Sequence, residues 1–141
     1  MVKPMNPPEG FEPHFRKSGL TDPWEPIFSR RNPGEAIILG LRVAEPHANS
    51  RGLAHGGLIA ALADNAMGLS CIEAGSGELT GLLTASMTTD YVGVARLGQW
   101  LEFRTGFVKV GRSLCFAQCF VTADDKVCAR ANATFSVLRS A

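Results

Sequence analysis

The residues with chemistry to offer gather in "NSRGLAHGGLIAALADNAMGLSC", Asn49 to Cys71. Asp64 sits inside an apolar run where a purely core-filling helix would carry leucine or alanine. Ionised carboxylates are almost never fully buried without a partner, and desolvation raises their pKa. Two readings follow. Either Asp64 faces a subunit boundary and accepts hydrogen bonds from backbone or from Asn65, or it is poised as a base or nucleophile.

His55, Gly56 and Gly57 stand at the entrance to the same run. A helix start leaves N–H groups unpaired and carries a partial positive charge. Glycine there lets a ligand oxygen approach the backbone, so the site suits an anion or a developing oxyanion. The plainer alternative is that the glycines only permit a tight loop-to-helix turn. Distance limits how these parts cooperate. Asp64 lies eight residues beyond Gly56, about 12 Å along a helix axis. One helix cannot place both groups on one carbonyl. If both act, they come from two copies of the helix packed antiparallel across a two-fold axis, which predicts a dimer with two shared sites.

The elements that must hold these groups are legible in outline. The spacing predicts a helix from Gly57 to about Ala74, with no internal proline. Leu58, Ile59, Leu62, Ala63, Ala66, Met67, Leu69 and Ile72 leave it no broad polar face, so most of its circumference is expected to be buried. "EAIILGLRVAE" alternates Ile37, Leu39, Leu41 and Val43 and reads as a strand before the helix. After it, "LLTASMTTDYV" alternates Leu83, Ala85, Met87 and Tyr91 against Thr84, Ser86, Thr88 and Asp90. "QWLEFRTGFVKV" and "SLCFAQCFVTA" flank a hairpin turn at Gly111–Arg112. The last strand sets Val127, Ala129, Ala131, Ala133, Phe135 and Val137 on one face. One helix with a run of hairpin-connected strands is an α+β pattern, an antiparallel sheet curled around one central helix.

All eight prolines fall within the first 46 residues. This divides an irregular N-terminal segment, 1–25, from a single regular domain, 26–141. The segment reads as a poorly ordered tail, or as a wrap in which Phe11, Phe15, Trp24 and Ile27 cover the body or line a pocket.

Composition excludes several function classes. A formal charge of +1 without Lys or Arg clusters gives nucleic acid or an anionic membrane no purchase. No signal peptide and no bilayer-spanning stretch are read, so a cytoplasmic protein is expected. Cys71, Cys115, Cys119 and Cys128 form no CxxC pair. On one strand Cys115 and Cys119 would lie about 13 Å apart, too far for a disulfide, so small buried thiols are expected. His14, His47 and His55 show no zinc-site spacing, and neither metal nor cofactor is expected. No G-x-S-x-G nucleophile elbow occurs.

Asn49-x5-His55-Gly56-Gly57-x6-Asp64 resembles the signature of the hotdog-fold acyl-CoA thioesterases of the phenylacetate-pathway (PaaI-like) group. The likeness covers roughly residues 35–138, including the "VGRSLCFAQCFVTADDKVCARANATFSV" end. It implies an antiparallel sheet around one long helix, paired into dimers and often tetramers, and an acyl-CoA substrate. It further implies Asp64 as water-activating base or nucleophile, and Gly56 as N–H donor to the thioester carbonyl, with Gly57 beside it. Asn49 and His55 would orient the loop and substrate, and Thr84 would help hold the attacking water. Arg112 and Ser113 would meet the nucleotide part of coenzyme A, with Arg96 and Arg130 behind them. Met67, Cys71 and the N-terminal aromatics are candidates for the acyl pocket, which mildly favours an aryl or medium-chain group. A departing thiolate whose acid has a pKa near ~8.5 needs no strong general acid. The competing readings are a hotdog hydratase, whose D-x-N-x-x-H pattern is absent, and a non-catalytic acyl-CoA binding module.

Overall fold

The central helix, α1, runs Gly56–Ala74, one residue earlier than the glycine pair alone suggests, because His55 caps it. It ends where Gly75 turns its N–H back to the carbonyls of Cys71 and Ile72. Ser76 and Gly77, both at positive φ, then lead the chain away. This computed structural model describes residues 6–138; the ends of the expected segments, 1–5 and 139–141, lie outside the described residues.

Around α1 curls one antiparallel sheet of seven strands, β1 (Glu12–Pro13), β2 (Phe28–Arg30), β3 (Ile38–Arg42), β4 (Gly81–Tyr91), β5 (Trp100–Val110), β6 (Leu114–Ala123) and β7 (Lys126–Leu138), in the order β1-β2-β3-β5-β6-β7-β4. The core lies between the concave face and the helix. Leu58, Leu62, Ala63, Ala66 and Met67 of α1 meet Leu39, Leu41, Leu101, Phe103 and Val121 of the sheet, all buried. Ala129, Ala131 and Ala133 give β7 a low inner surface, so the helix approaches closely. The β5–β6 hairpin turns at Gly111, whose N–H donates to Leu114 O (2.8 Å). Only glycine fits there, since a Cβ would stand 2.6 Å from that same oxygen.

Burial pushes the Cys71 and Cys119 thiols up to about 12 and raises Cys128 as well. All four cysteines are free and buried. A thiol raised in this way is too protonated at neutral pH to act as a nucleophile.

Two strand faces differ from the simple alternation. In β4 the register to β7 jumps between Thr84 and Ser86, leaving Ala85 as a bulge residue. Leu82, Thr84, Met87, Thr89 and Tyr91 therefore pair with the inner-face residues of β7, while Ser86, Thr88 and Asp90 face outward. Thr84 does not share their face. A second register shift at Cys128 moves Val127 to the outer face, where it is exposed.

Residues 6–25 lie on the body. Glu12 and Pro13 pair with Ser29 and Phe28, and Phe11 packs edge-on against Trp100 with ring centroids 5.1 Å apart. Gly40 makes room for that indole, since a Cβ would lie 2.3 Å from it. Phe11 and Ile27 are buried, but Phe15 is exposed. The expectation that no stretch has the length and apolarity to cross a bilayer needs correction. The 19 residues of α1 reach that threshold, because an alanine-rich core helix has the same composition as a span.

Candidate active site

The loop entering α1 is tied down residue by residue. His47, buried, accepts the Ala44 N–H at Nδ1 (2.9 Å) and so donates from Nε2 to the Trp24 carbonyl (2.8 Å). Its own carbonyl accepts the His55 N–H (2.9 Å). Asn49 Oδ1 accepts the N–H groups of Arg51 (2.9 Å) and Leu53 (3.2 Å), organising the turn by the usual Asx chemistry. Arg96 bridges to Leu53 through its backbone, beside this loop.

His55 closes the loop as the N-cap. Its Nδ1 accepts the Gly57 N–H (2.9 Å), and a Cβ on Gly57 would crowd that nitrogen at 3.0 Å. The Gly57 amide is thus committed to the cap, which corrects its expected part in substrate binding. No acceptor for the Gly56 N–H is found among the described residues. Tyr91, at the far end of β4, donates its hydroxyl to the Gly56 carbonyl (2.6 Å). Tyr91 and His47 are positioning residues that sequence reasoning passed over. Their signal is long-range contact, which local spacing does not carry.

Two turns further along the helix, half-buried Asp64 accepts the Thr84 hydroxyl at Oδ1 (2.8 Å). The β4 bulge makes this meeting possible, since it keeps Thr84 on the helix side. A carboxylate held at one oxygen keeps its other lone pairs for a water proton. The pair opens into a groove of about 570 Å³, within the range of roughly 300–1,000 Å³ common for small-molecule sites.

The other expected residues divide. Arg112 and Ser113 sit in the β5–β6 turn, away from the groove lining. Arg130 is on the outer face, its Nε 3.0 Å from Asp90. Met67 and Cys71 are wholly buried in the core and do not line the groove; nor do Phe11, Phe15 or Trp24. Being apolar and helix-borne suits Met67 and Cys71 to the core, and α1 turns them inward. His14, Arg16, Lys17, Ser18 and Thr21 stand on the wall instead.

Within one chain the Gly56 amide and Asp64 remain two separate features of one helix, about 12 Å apart.

The family model of the thioesterase superfamily matches residues 51–130. Protein PA0474 of Pseudomonas aeruginosa, named as a candidate esterase, is 39% identical over 132 residues, covering 93% of this chain and 97% of that one. Human acyl-coenzyme A thioesterase 13 is 34% identical over 92 residues, 64% of this chain and 62% of its own length. Among solved structures, the phenylacetic acid degradation protein PaaI of Thermus thermophilus, in a mutant form, superposes with a TM-score of 0.69 at 26% identity, covering 79% of this chain and 93% of that one. The protein smu.793 of Streptococcus mutans, bound to acetyl CoA, gives 0.64 at 26% identity over 74% and 82%.

Proposed function

Since the chain belongs to the thioesterase superfamily, as a PaaI-like thioester hydrolase with the hotdog fold, we propose that it cleaves an acyl-CoA to the free acid and coenzyme A by the direct attack of water. The Asp64–Thr84 hydrogen bond at the mouth of the groove carries this reading. Thr84 holds one carboxylate oxygen and thereby aims the other at a water molecule. Asp64 takes a proton as that water adds to the thioester carbonyl, and the oxygen gathers negative charge against the Gly56 N–H of a second copy. Collapse of the tetrahedral adduct breaks the C–S bond and releases the thiolate. Asn49, His55 and Gly57 hold the donor loop in shape.

The second copy is argued from β4, which pairs with β7 on one side and is open along its other edge for 11 residues. Such an edge is a template for pairing. Gly56 is tied to Tyr91, and Asp64 to Thr84, at opposite ends of this strand. Antiparallel self-pairing centred on Thr88, with Ala85 bulged out, sets Thr84 of one copy opposite Tyr91 of the other on the inner face. The amide of each helix start then comes to the carboxylate of its partner. A dimer of dimers through the outer sheet face, where Phe107, Phe116 and Phe120 are exposed, would complete a tetramer.

The test is a panel of acyl-CoAs assayed for free thiol. Asp64→Asn should keep the fold and oligomer yet lose turnover by about 10² or more. Wild-type rates in that variant would remove Asp64 from the reaction. Reaction in labelled water should put the label in the acid on the first turnover if water attacks directly; label held in Asp64 would make it the nucleophile. Mixing inactive Asp64→Asn and Gly56→Pro subunits should restore one working site per dimer, whereas verified mixing without recovery would refute the shared site.

A further inference from the structure

The groove beside Asp64 has a wall that hydrolysis alone does not require. Residues 14–27 loop out between β1 and β2 and lie along its edge. The loop is pinned at both ends and through its middle. The His14 N–H donates to Ile27 O (2.8 Å), Asp22 N–H to Ser18 O (3.0 Å), and His47 holds Trp24 O (2.8 Å). Lys17 pairs with Glu25 at 3.1 Å. It is a built surface rather than a loose tail.

What it presents differs from the rest of the groove. Beside Asp64 and Thr84, the helix and sheet supply the apolar Leu69, Ile72, Leu82 and Phe135, together with Asn65 and Thr80. Gly68, one turn beyond Asp64, adds no side chain, which leaves the space next to the carboxylate open. The loop supplies an imidazole and a guanidinium. His14 is only 5% exposed, and its ring finds no hydrogen-bond partner among the described residues; Nδ1 is sealed from solvent. Burial lowers its pKa, against the pull of Glu25, so the ring is neutral at physiological pH and still carries one N–H to donate. Buried polar groups are nearly always satisfied, so a groove-lining imidazole without a partner points to a ligand. Arg16 makes no ion pair among the described residues, while Lys17 is already paired.

We propose that this wall selects the acyl group: the chain lies over the apolar floor and ends in a carboxylate, which Arg16 and His14 hold. This rests on the thioesterase reading of Asp64 and names its substrate class as ω-carboxyacyl thioesters. A planar guanidinium matches a carboxylate in two hydrogen bonds. The thioester carbonyl must lie at Asp64, so the acyl end is the part that reaches the loop.

The test uses thioethers that cannot be cleaved. S-hexyl-CoA and its counterpart with a carboxylate in place of the terminal methyl are titrated into the full-length protein by calorimetry. The carboxylate form should bind about tenfold more tightly, a difference of about 1.4 kcal/mol. Arg16→Gln should bring the ratio to about one without changing the Kd of the hexyl form. Arg16→Lys should keep part of the preference, and His14→Gln should narrow it. The same pair built on N-acetylcysteamine, which has no phosphates, should show the same preference. Equal affinity of the two thioethers in the wild type would overturn the proposal. So would an Arg16→Gln effect shared by both CoA ligands and missing on N-acetylcysteamine, since the guanidinium would then serve a phosphate. Thiol release from neutral acyl-CoAs separates the two readings. Asp64-dependent turnover without a carboxylate preference sinks only the selectivity, while the preference without any turnover sinks only the hydrolysis.

Discussion

Asp64 shows how much one side chain reveals when it breaks a pattern. A carboxylate in a greasy helix stands out by composition, and the distance from Gly56 follows from helical rise alone. Its partner is less visible, because nothing in "LLTASMTTDYV" distinguishes Thr84 from the other hydroxyl residues of the strand. The hydrogen bond of 2.8 Å singles it out. Thr84→Val removes the hydroxyl at nearly constant shape and is expected to lower kcat about tenfold, the scale of a hydrogen bond to a charged group. Thr84→Ser should stay near wild type. Steady-state thiol release measures both, and a fully active Thr84→Val enzyme would discard the positioning role. Gly57 teaches the converse lesson. The resemblance implies a place for it beside Gly56 in substrate binding, yet its amide serves His55.

The bulges in β4 and β7 decide which residues meet the helix. Period-two alternation assigns Thr84, Ser86, Thr88 and Asp90 to one face, and a single extra residue, Ala85, breaks that assignment. A bulge made of alanine between two hydroxyl residues leaves no mark in composition, since it is specified by pairing with β7. Deleting Ala85 removes the extra residue and leaves Thr84 and Met87 in strict alternation on the inner face. The expected result is a folded protein with native-like circular dichroism that keeps Asp64-dependent turnover. Lost turnover in a folded deletion would show that the bend of the bulge, and not the face alone, sets the site. By contrast, α1 and the β5–β6 hairpin were legible, because a long unbroken apolar run and a Gly-Arg turn are local signals.

For the molecule as a whole, the N-terminal loop couples the site to pH. His14 is held below its ordinary value of 6.5, first by burial and then by Lys17, Arg16 and Arg31, with Glu25 opposing. The native state therefore binds this proton less readily than the unfolded chain. Its effect on stability is nil well above pH 6.5 and grows as a loss when the pH falls below it, levelling off beneath the folded pKa. His14→Gln should flatten that part of the pH–stability curve. Denaturant midpoints across the acidic range would show it, and an unchanged acid limb in the variant would assign the loss to other groups.

The chain's own order of residues determined the central helix, the succession of strands, the isolated carboxylate and the glycine-rich helix start, because each is written in neighbouring positions. Tertiary structure decided which hydroxyl meets Asp64, that Tyr91 braces Gly56, that Met67 and Cys71 belong to the core, and that residues 14–21 wall the groove. These are contacts between segments far apart in the chain. They depend on strand register and on which face a bulge turns inward, quantities that exist only once the sheet has closed around the helix.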